Sequence, residues 1–322
     1  MEMQQIYKLV QPELDALKAE FNNIISIQSG FPEMQSMLEQ VLVSGKGVRP
    51  LLTLLSGMFY DYDVSRLLPM ATAAETMHIA TLVHDDAIDS ADLRRGRSTI
   101  NSIWGVDLSI LLGDFLFACA GEYTSRTGSM RAVELFTQTL GIIARGEIKQ
   151  AFSSFKIKQT YDQYLERIAG KTAALFNMST ESGAALSNAP ESSVQILKNY
   201  GYNLGLAFQV VDDILDFVST EADMGKPVGA DLRQGTITLP SLKLLERYPH
   251  DNPIEKIFNQ EDVEVNLKLA IDMVRNSAII DECYQMASDY ATMATRELAG
   301  LPNKPAREAL AALADYIIKR QQ

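Results

Sequence analysis

Helical periodicity runs through most of this 322-residue chain, and strand signals are nearly absent. The clearest segment spans about 65–89 and carries Met70, Ala73, Ala74, Met77, Ala80, Thr81 and Val83. Its small residues lie on several faces, so neighbours can approach closely, and it predicts a long core helix. Further helices are predicted over 103–126, 130–152, 161–186 and 192–218, and Pro50 opens one in the first turn, where proline is tolerated. The last third is amphipathic again and ends in Lys319 and Arg320. Pro32 and the glycines Gly45 and Gly47 punctuate the first helices, while 90–98 and 219–235 read as polar loops. About ten to a dozen helices with short connections predict an all-α fold, a bundle of mostly antiparallel neighbours.

Composition narrows the class. With 47% hydrophobic residues and no linker rich in Pro, Gly or Ser, one domain spanning 1–322 is expected. The net charge of −12, from 29 Lys and Arg against 41 Asp and Glu, argues against a nucleic-acid partner, whose phosphates demand clustered positive charge. Cys119 and Cys283 are far apart and form no disulfide framework, which fits a reducing cytoplasm. The most apolar run, 103–120, is interrupted by Asp107 and Asp114 and predicts a buried core helix rather than a membrane span. Residues 1–10 lack the pattern of a signal peptide, so a soluble cytoplasmic protein is expected.

One short pattern recurs. Asp85-Asp86-Ala87-Ile88-Asp89 matches Asp212-Asp213-Ile214-Leu215-Asp216, each after an apolar stretch near the end of a predicted helix. Residues four apart share a helix face, so Asp85 points with Asp89, and Asp212 with Asp216. Like charges at that spacing cost a few tenths of a kcal/mol, and apolar surroundings raise the cost. Hard divalent cations offset it, and Mg²⁺ characteristically combines one or two carboxylates with water and substrate phosphate. One such motif is more often a solvated face; two in similar settings point to a metal–diphosphate site. Basic residues flank them: Lys46 and Arg49 in Gly45-Lys46-Gly47-Val48-Arg49-Pro50, Arg94 and Arg95 after the first motif, and Lys171 and Lys226 near breaks in helical structure. Arginine forks and lysine charges both suit diphosphate oxygens.

These motifs, in this order, resemble the trans-isoprenyl diphosphate synthases, the polyprenyl synthetases. The resemblance covers roughly 45–240 and includes Gly45–Pro50, Glu75-Thr76-Met77-His78, both aspartate motifs, Arg94-Arg95-Gly96 and Gly170-Lys171-Thr172. It continues through Gln209, Gly225-Lys226 and Gly229-Ala230-Asp231-Leu232-Arg233-Gln234-Gly235 into Thr238-Leu239-Pro240. It implies a helical bundle around a deep central cavity, usually in a homodimer. By position, Asp85, Asp89 and Asp212 would be direct ligands of Mg²⁺, three ions with the bound diphosphate, and Asp86, Asp213 and Asp216 would support that cage. Arg94, Lys171, Thr172, Gln209 and Lys226 would hold the allylic diphosphate or steady a developing cation. Lys46, Arg49, His78 and Arg95 would bind isopentenyl diphosphate. The implied reaction is ionisation of the allylic C–O bond, attack by the isopentenyl double bond, and loss of a proton.

Departures from the family pattern bear on the product. Gly47 stands where many members carry a second basic residue, Ser98 replaces a frequent proline, and Thr236 replaces a lysine usual in short-chain members. Ala80 and Thr81 lie about one turn before Asp85 and Met77 about two. Short-chain members commonly put an aromatic at one of the first two positions, closing the pocket. Small residues there resemble the long-chain branch, with an all-trans product in the hexaprenyl to decaprenyl range. A shorter farnesyl or geranylgeranyl product, or service as one subunit of a heteromeric synthase, are the alternatives. Such an apolar product would favour transient membrane contact on release. A class I terpene cyclase would normally carry an Asn/Asp-Ser/Thr-Glu triad in place of the second motif. A di-iron bundle would need a second copy of Glu75-x-x-His78, which is absent.

Overall fold

The computed structural model describes residues 1–42, 45, 47–94, 96–219 and 228–319. Among these the regular structure is helical, apart from one small hairpin pairing Leu93–Arg94 (β1) with Arg97–Ser98 (β2). Thus the expected 90–98 loop contains an antiparallel turn, which Gly96 makes possible with φ +73°. The chain forms two compact units, one of Met1–Thr139, Leu175–Gly201 and Thr295–Leu313, the other of Leu140–Ala174, Tyr202–Ala294 and Ala314 onward.

The first unit opens with α1 (Met3–Lys8), α2 (Gln11–Ile27) and α3 (Pro32–Val41). Next comes α4 (Val48–Gly57), which starts after a left-handed Gly47 and has Pro50 in its first turn. The long helix expected at 65–89 is α5 (Val64–Ile88), capped where the Asp63 side chain accepts from the Ser65 N–H. Its fully buried Leu67, Met70, Ala74, Met77 and Ala80 form the unit's axis, packed most extensively on α7 and next on α4.

The predicted 103–126 helix is interrupted. It becomes α6 (Ile100–Trp104) and α7 (Val106–Arg126), because Gly105 takes φ +89°. Nor is α7 a wholly buried helix. Ser109, Leu112, Gly113, Leu116 and Ala120 pack inward, while Val106, Leu108, Ile110 and Leu111 are exposed, Leu111 at 60%. The apolar residues of that run encircle the helix, and its neighbours cover one side. At Gly113 the approach of α5 to α7 is close: a Cβ there would lie 2.1 Å from the His84 ring. Gly113→Ala is therefore expected to cost about 1–3 kcal/mol by overpacking, read as a lower urea midpoint with an unchanged slope.

In the second unit, α8 (Met130–Ser153) arrives from the first, followed by α9 (Tyr161–Ile168). The predicted 161–186 helix is also not uniform: Ala169–Ala173 is a π-helical turn leading into α10 (Ala174–Leu186). Then come α11 (Glu191–Val218), α12 (Ala230–Arg233), α13 (Leu239–Arg247), α14 (Pro253–Phe258), α15 (Val263–Arg275), α16 (Ile279–Glu297) and α17 (Pro305–Lys319); α10 and most of α17 belong to the first unit, and α11 runs from the first into the second. Tyr164, Val210, Ile214, Phe217, Leu267 and Cys283 are among the buried core of this unit. No helix among the described residues is long and apolar enough to cross a membrane.

Candidate active site

The first aspartate motif occupies the last turn of α5. Asp85 is half-buried, Asp86 is 6% exposed, and Asp89 is the exposed C-cap whose N–H donates to the Asp85 carbonyl at 2.8 Å. Asp86 turns inward and accepts from Arg94 Nε at 2.7 Å. Burial pushes its carboxyl above the usual range; the Arg94 charge opposes this, and neighbouring Asp85 adds to it. The segment carrying Arg94 is fixed at several points. The Ala91 N–H donates to the Asp86 carbonyl at 2.9 Å, Thr99 Oγ1 to the Ala91 carbonyl at 2.6 Å, and Gln40 Nε2 to the Ser98 carbonyl at 2.6 Å.

Further up α5, His78 and Thr81 are half-buried on the face that leads to Asp85, with Thr81 Oγ1 donating to the His78 carbonyl at 2.7 Å. Met77 and Ala80 are fully buried. Arg49 lies in the first turn of α4, its guanidinium 5.2 Å from the centre of the Phe176 ring. His84 is held by packing beside the motif. Its Nε2 is 2.9 Å from the Ile110 carbonyl and 3.5 Å from Asp114 Oδ1, and its ring stands edge-on to Phe117. Lys46 and Arg95 lie outside the described residues.

In the second unit the matching motif is near the end of α11. Asp212 is half-buried, whereas Asp213 and Asp216 are 3% and 1% exposed. Spacing predicted that Asp212 and Asp216 point together; they share a face but differ in depth. Asp216 Oδ2 accepts from the Asp231 N–H at 3.2 Å, at the start of α12. Asp213 ends a run of hydrogen bonds. Tyr164 Oη donates to its Oδ2 at 2.8 Å, Gln209 Nε2 donates to its Oδ1 at 2.8 Å, and Thr172 Oγ1 donates to Gln209 Oε1. Burial pushes the Asp213 carboxyl up to about 7, with the Asp231 charge adding to the rise, while Gln209, Arg167 and Tyr164 pull it back.

Thr172 and Lys171 both belong to the π turn, a distortion frequent at functional sites. It accounts for the break that the glycine-containing segment suggested. Lys171 Nζ pairs with Glu147 Oε1 on α8 at 2.9 Å. Lys226 lies outside the described residues. Sequence reasoning missed Tyr164, Arg167 and Glu147 as neighbours of these groups. The available signal for Tyr164 was its inward register with Ile168 on a short helix after the Thr160 cap.

Among the described residues, no three His, Cys, Asp or Glu side chains come together as a ready-made metal site. Within the first unit Asp85 is half-buried and Asp89 exposed, and within the second Asp212 is half-buried; carboxylate oxygens are the donor type that hard divalent ions take.

The profile of the Polyprenyl synthetase family matches residues 31–273. This chain belongs to that family. Its "Heptaprenyl diphosphate synthase component 2" relative from Bacillus subtilis (strain 168) is 36% identical, covering 100% of this chain and 92% of that protein. The "Geranylgeranyl diphosphate synthase" of Saccharolobus solfataricus is 32% identical, covering 96% and 99%. The solved polyprenyl synthase of Caulobacter crescentus CB15, complexed with calcium and isoprenyl diphosphate, superposes with a TM-score of 0.92 at 34% identity, covering 100% of this chain and 98% of that one. The chain is a trans-prenyltransferase, which condenses isopentenyl diphosphate with an allylic diphosphate.

Proposed function

We propose that this enzyme, a single domain, repeats the condensation to give a long all-trans polyprenyl diphosphate in the hexaprenyl to decaprenyl range. The observation carrying this reading is the small Thr81, half-buried on the α5 face that leads to Asp85, with Ala80 beside it in sequence. Neither offers the aromatic bulk that would stop a growing chain. The heptaprenyl name of the Bacillus relative agrees, while that of the Saccharolobus relative marks the shorter alternative.

Exposure supports a division of labour among the aspartates. Asp85, Asp89 and Asp212 are reachable by solvent and would ligate Mg²⁺, three ions shared with the diphosphate. Asp86, Asp213 and Asp216 are buried on Arg94, on Tyr164 and Gln209, and on the Asp231 N–H, and would hold the cage in shape. The calcium and isoprenyl diphosphate of the Caulobacter protein support such a site. Mg²⁺ would supply charge neutralisation for the departing diphosphate.

Lys171, Arg94 and Lys226 would hold the allylic diphosphate, and Thr172 and Gln209 would turn polar groups toward the developing cation. Arg49, His78, Lys46 and Arg95 would take the isopentenyl diphosphate. Glu147 would then compete with the diphosphate for Lys171, keeping that ammonium oriented before substrate arrives.

A homodimer is part of this reading, supported by the exposed apolar residues of α7. Leu111→Asp is expected to convert the dimer to monomers, measured by light scattering after size exclusion; a dimer unchanged by that charge would place the interface elsewhere. A cytoplasmic location is supported by Cys119 and Cys283, both free thiols. Transient membrane contact on product release is tested by adding liposomes: unchanged turnover and release would remove it.

The deciding experiment incubates the chain with Mg²⁺, labelled isopentenyl diphosphate and farnesyl diphosphate, then sizes the dephosphorylated products. A ladder ending at a long chain, abolished by EDTA, is the expected result. Arrest after one addition would favour the shorter product. No product from any primer would point to a heteromeric synthase, as the words "component 2" in the Bacillus relative's name suggest for that protein.

A further inference from the structure

The hydrogen-bond run ending at Asp213 has a direction imposed by chemistry. Of the two ends of the Gln209 amide only the nitrogen carries hydrogens, and it donates to Asp213 Oδ1 at 2.8 Å. The amide oxygen must then face Thr172, whose single O–H is consumed in donating to it. The Thr172 oxygen is left with its lone pairs directed away from the run, as an electron-rich acceptor on the π turn. This polarity holds while the Asp213 carboxylate keeps its orientation. If the carboxylate rotates about its Cβ–Cγ bond, the Gln209 amide loses its partner, and the Thr172 hydroxyl is free to turn.

Tyr164 is the group that prevents such rotation. Its hydroxyl donates to the other carboxylate oxygen, Oδ2, at 2.8 Å, so the two ends of the carboxylate are pinned from α9 and α11. Tyr164 is itself fully buried and held from several sides. The Arg167 guanidinium lies 5.5 Å from its ring centre, and donates to the Ile237 carbonyl and to Gln159 Oε1 at 3.2 Å. The helix that carries Tyr164 starts in a capping box at Thr160 and Gln163. A hydroxyl so fixed acts on the site through Asp213.

We infer that Tyr164 is a positioning residue for the prenyl transfer: by pinning Asp213 it fixes the Gln209 amide and turns the Thr172 lone pairs toward the reacting substrate. This rests on the reading of Thr172 and Gln209 proposed above. It goes beyond that reading in assigning the orientation of both groups to a buried tyrosine on a separate helix.

The test is a double-substitution cycle. Tyr164→Phe removes only the hydroxyl and keeps the ring in the core. It is expected to lower kcat about tenfold, the low end for groups that orient a site from behind it, with KM for both diphosphates within about twofold of the parent. Thr172→Val is expected to lower kcat by at least as much. The double variant should be no slower than Thr172→Val alone, because both substitutions interrupt one run. In a Gln209→Met background, Tyr164→Phe should likewise have no further effect on kcat.

Thermal unfolding of the same four proteins, without metal or substrate, supplies a readout independent of turnover: the shifts in Tm should also be less than additive. Multiplicative effects on kcat with additive shifts in Tm would overturn the inference, as would a Tyr164→Phe enzyme within twofold of the parent. An inactive parent enzyme would instead sink the proposed function, and the cycle in Tm would still decide whether Tyr164 and Thr172 are coupled.

Discussion

Asp85→Asn and Asp212→Asn are expected to lower kcat by about 10²–10³-fold, the range for losing one principal stabiliser of transition-state charge. Asp86→Asn and Asp213→Asn should cost less in rate, about 10–100-fold, because supporting partners act at one remove from the reacting groups. The order reverses for stability. Asp86 and Asp213 are buried with named partners, Arg94 on one and Tyr164 with Gln209 on the other, so their loss leaves buried groups to be satisfied anew. About 1–3 kcal/mol is at stake for each such group. For Asp86 the lower end applies, since Arg94 is partly exposed and its pairing is screened. Asp85 and Asp212 are half-buried, and their substitution should move the urea midpoint less. Measuring kcat and midpoint for all four variants checks both orders at once. Equal losses of rate, or larger destabilisation at Asp85 than at Asp86, would remove the proposed split between ligands and supports.

That split also marks how far the sequence could be read. The period of apolar residues was enough to locate α5 to within one residue at each end, since so long a periodic segment admits few alternatives. It missed the interruption at Gly105, because a single glycine inside an apolar run need not break a helix, and here it does so only by taking a positive φ. Helical spacing also gave the shared face of Asp212 and Asp216, but depth on that face depends on which element packs over it. The covering element at Asp216 is α12, fifteen residues further along the chain, whose Asp231 N–H the carboxylate accepts. Tyr164 is the extreme case. Its distance from Asp213 is 49 residues in sequence and one hydrogen bond in space, and no periodicity encodes that pairing. The same holds for Gly113, which the packing against His84 requires to be glycine although its helix could accept any residue.

Thr81→Phe is expected to shorten the product to the geranylgeranyl range while sparing the first condensation. Thr81 is four residues before Asp85, so the two lie on adjoining turns of the same α5 face, and both are half-buried. A phenyl group there would stand one turn, roughly 5–6 Å, below the carboxylate, close enough to obstruct a chain growing along the helix. The lost hydroxyl contact to the His78 carbonyl is local and costs little, since that carbonyl retains its place in the helix. Ala80→Phe is the instructive comparison. Ala80 is fully buried, and adding a ring inside a packed interior forces neighbours apart at about 1–3 kcal/mol. Ala80→Phe should therefore lose stability as well as product length, whereas Thr81→Phe should change length with a smaller fall in urea midpoint. Sizing the products of both variants from farnesyl diphosphate, beside their unfolding curves, separates the two effects. A long product from Thr81→Phe would mean that the growing chain leaves Asp85 along another face, and the small residues of α5 would then serve packing alone.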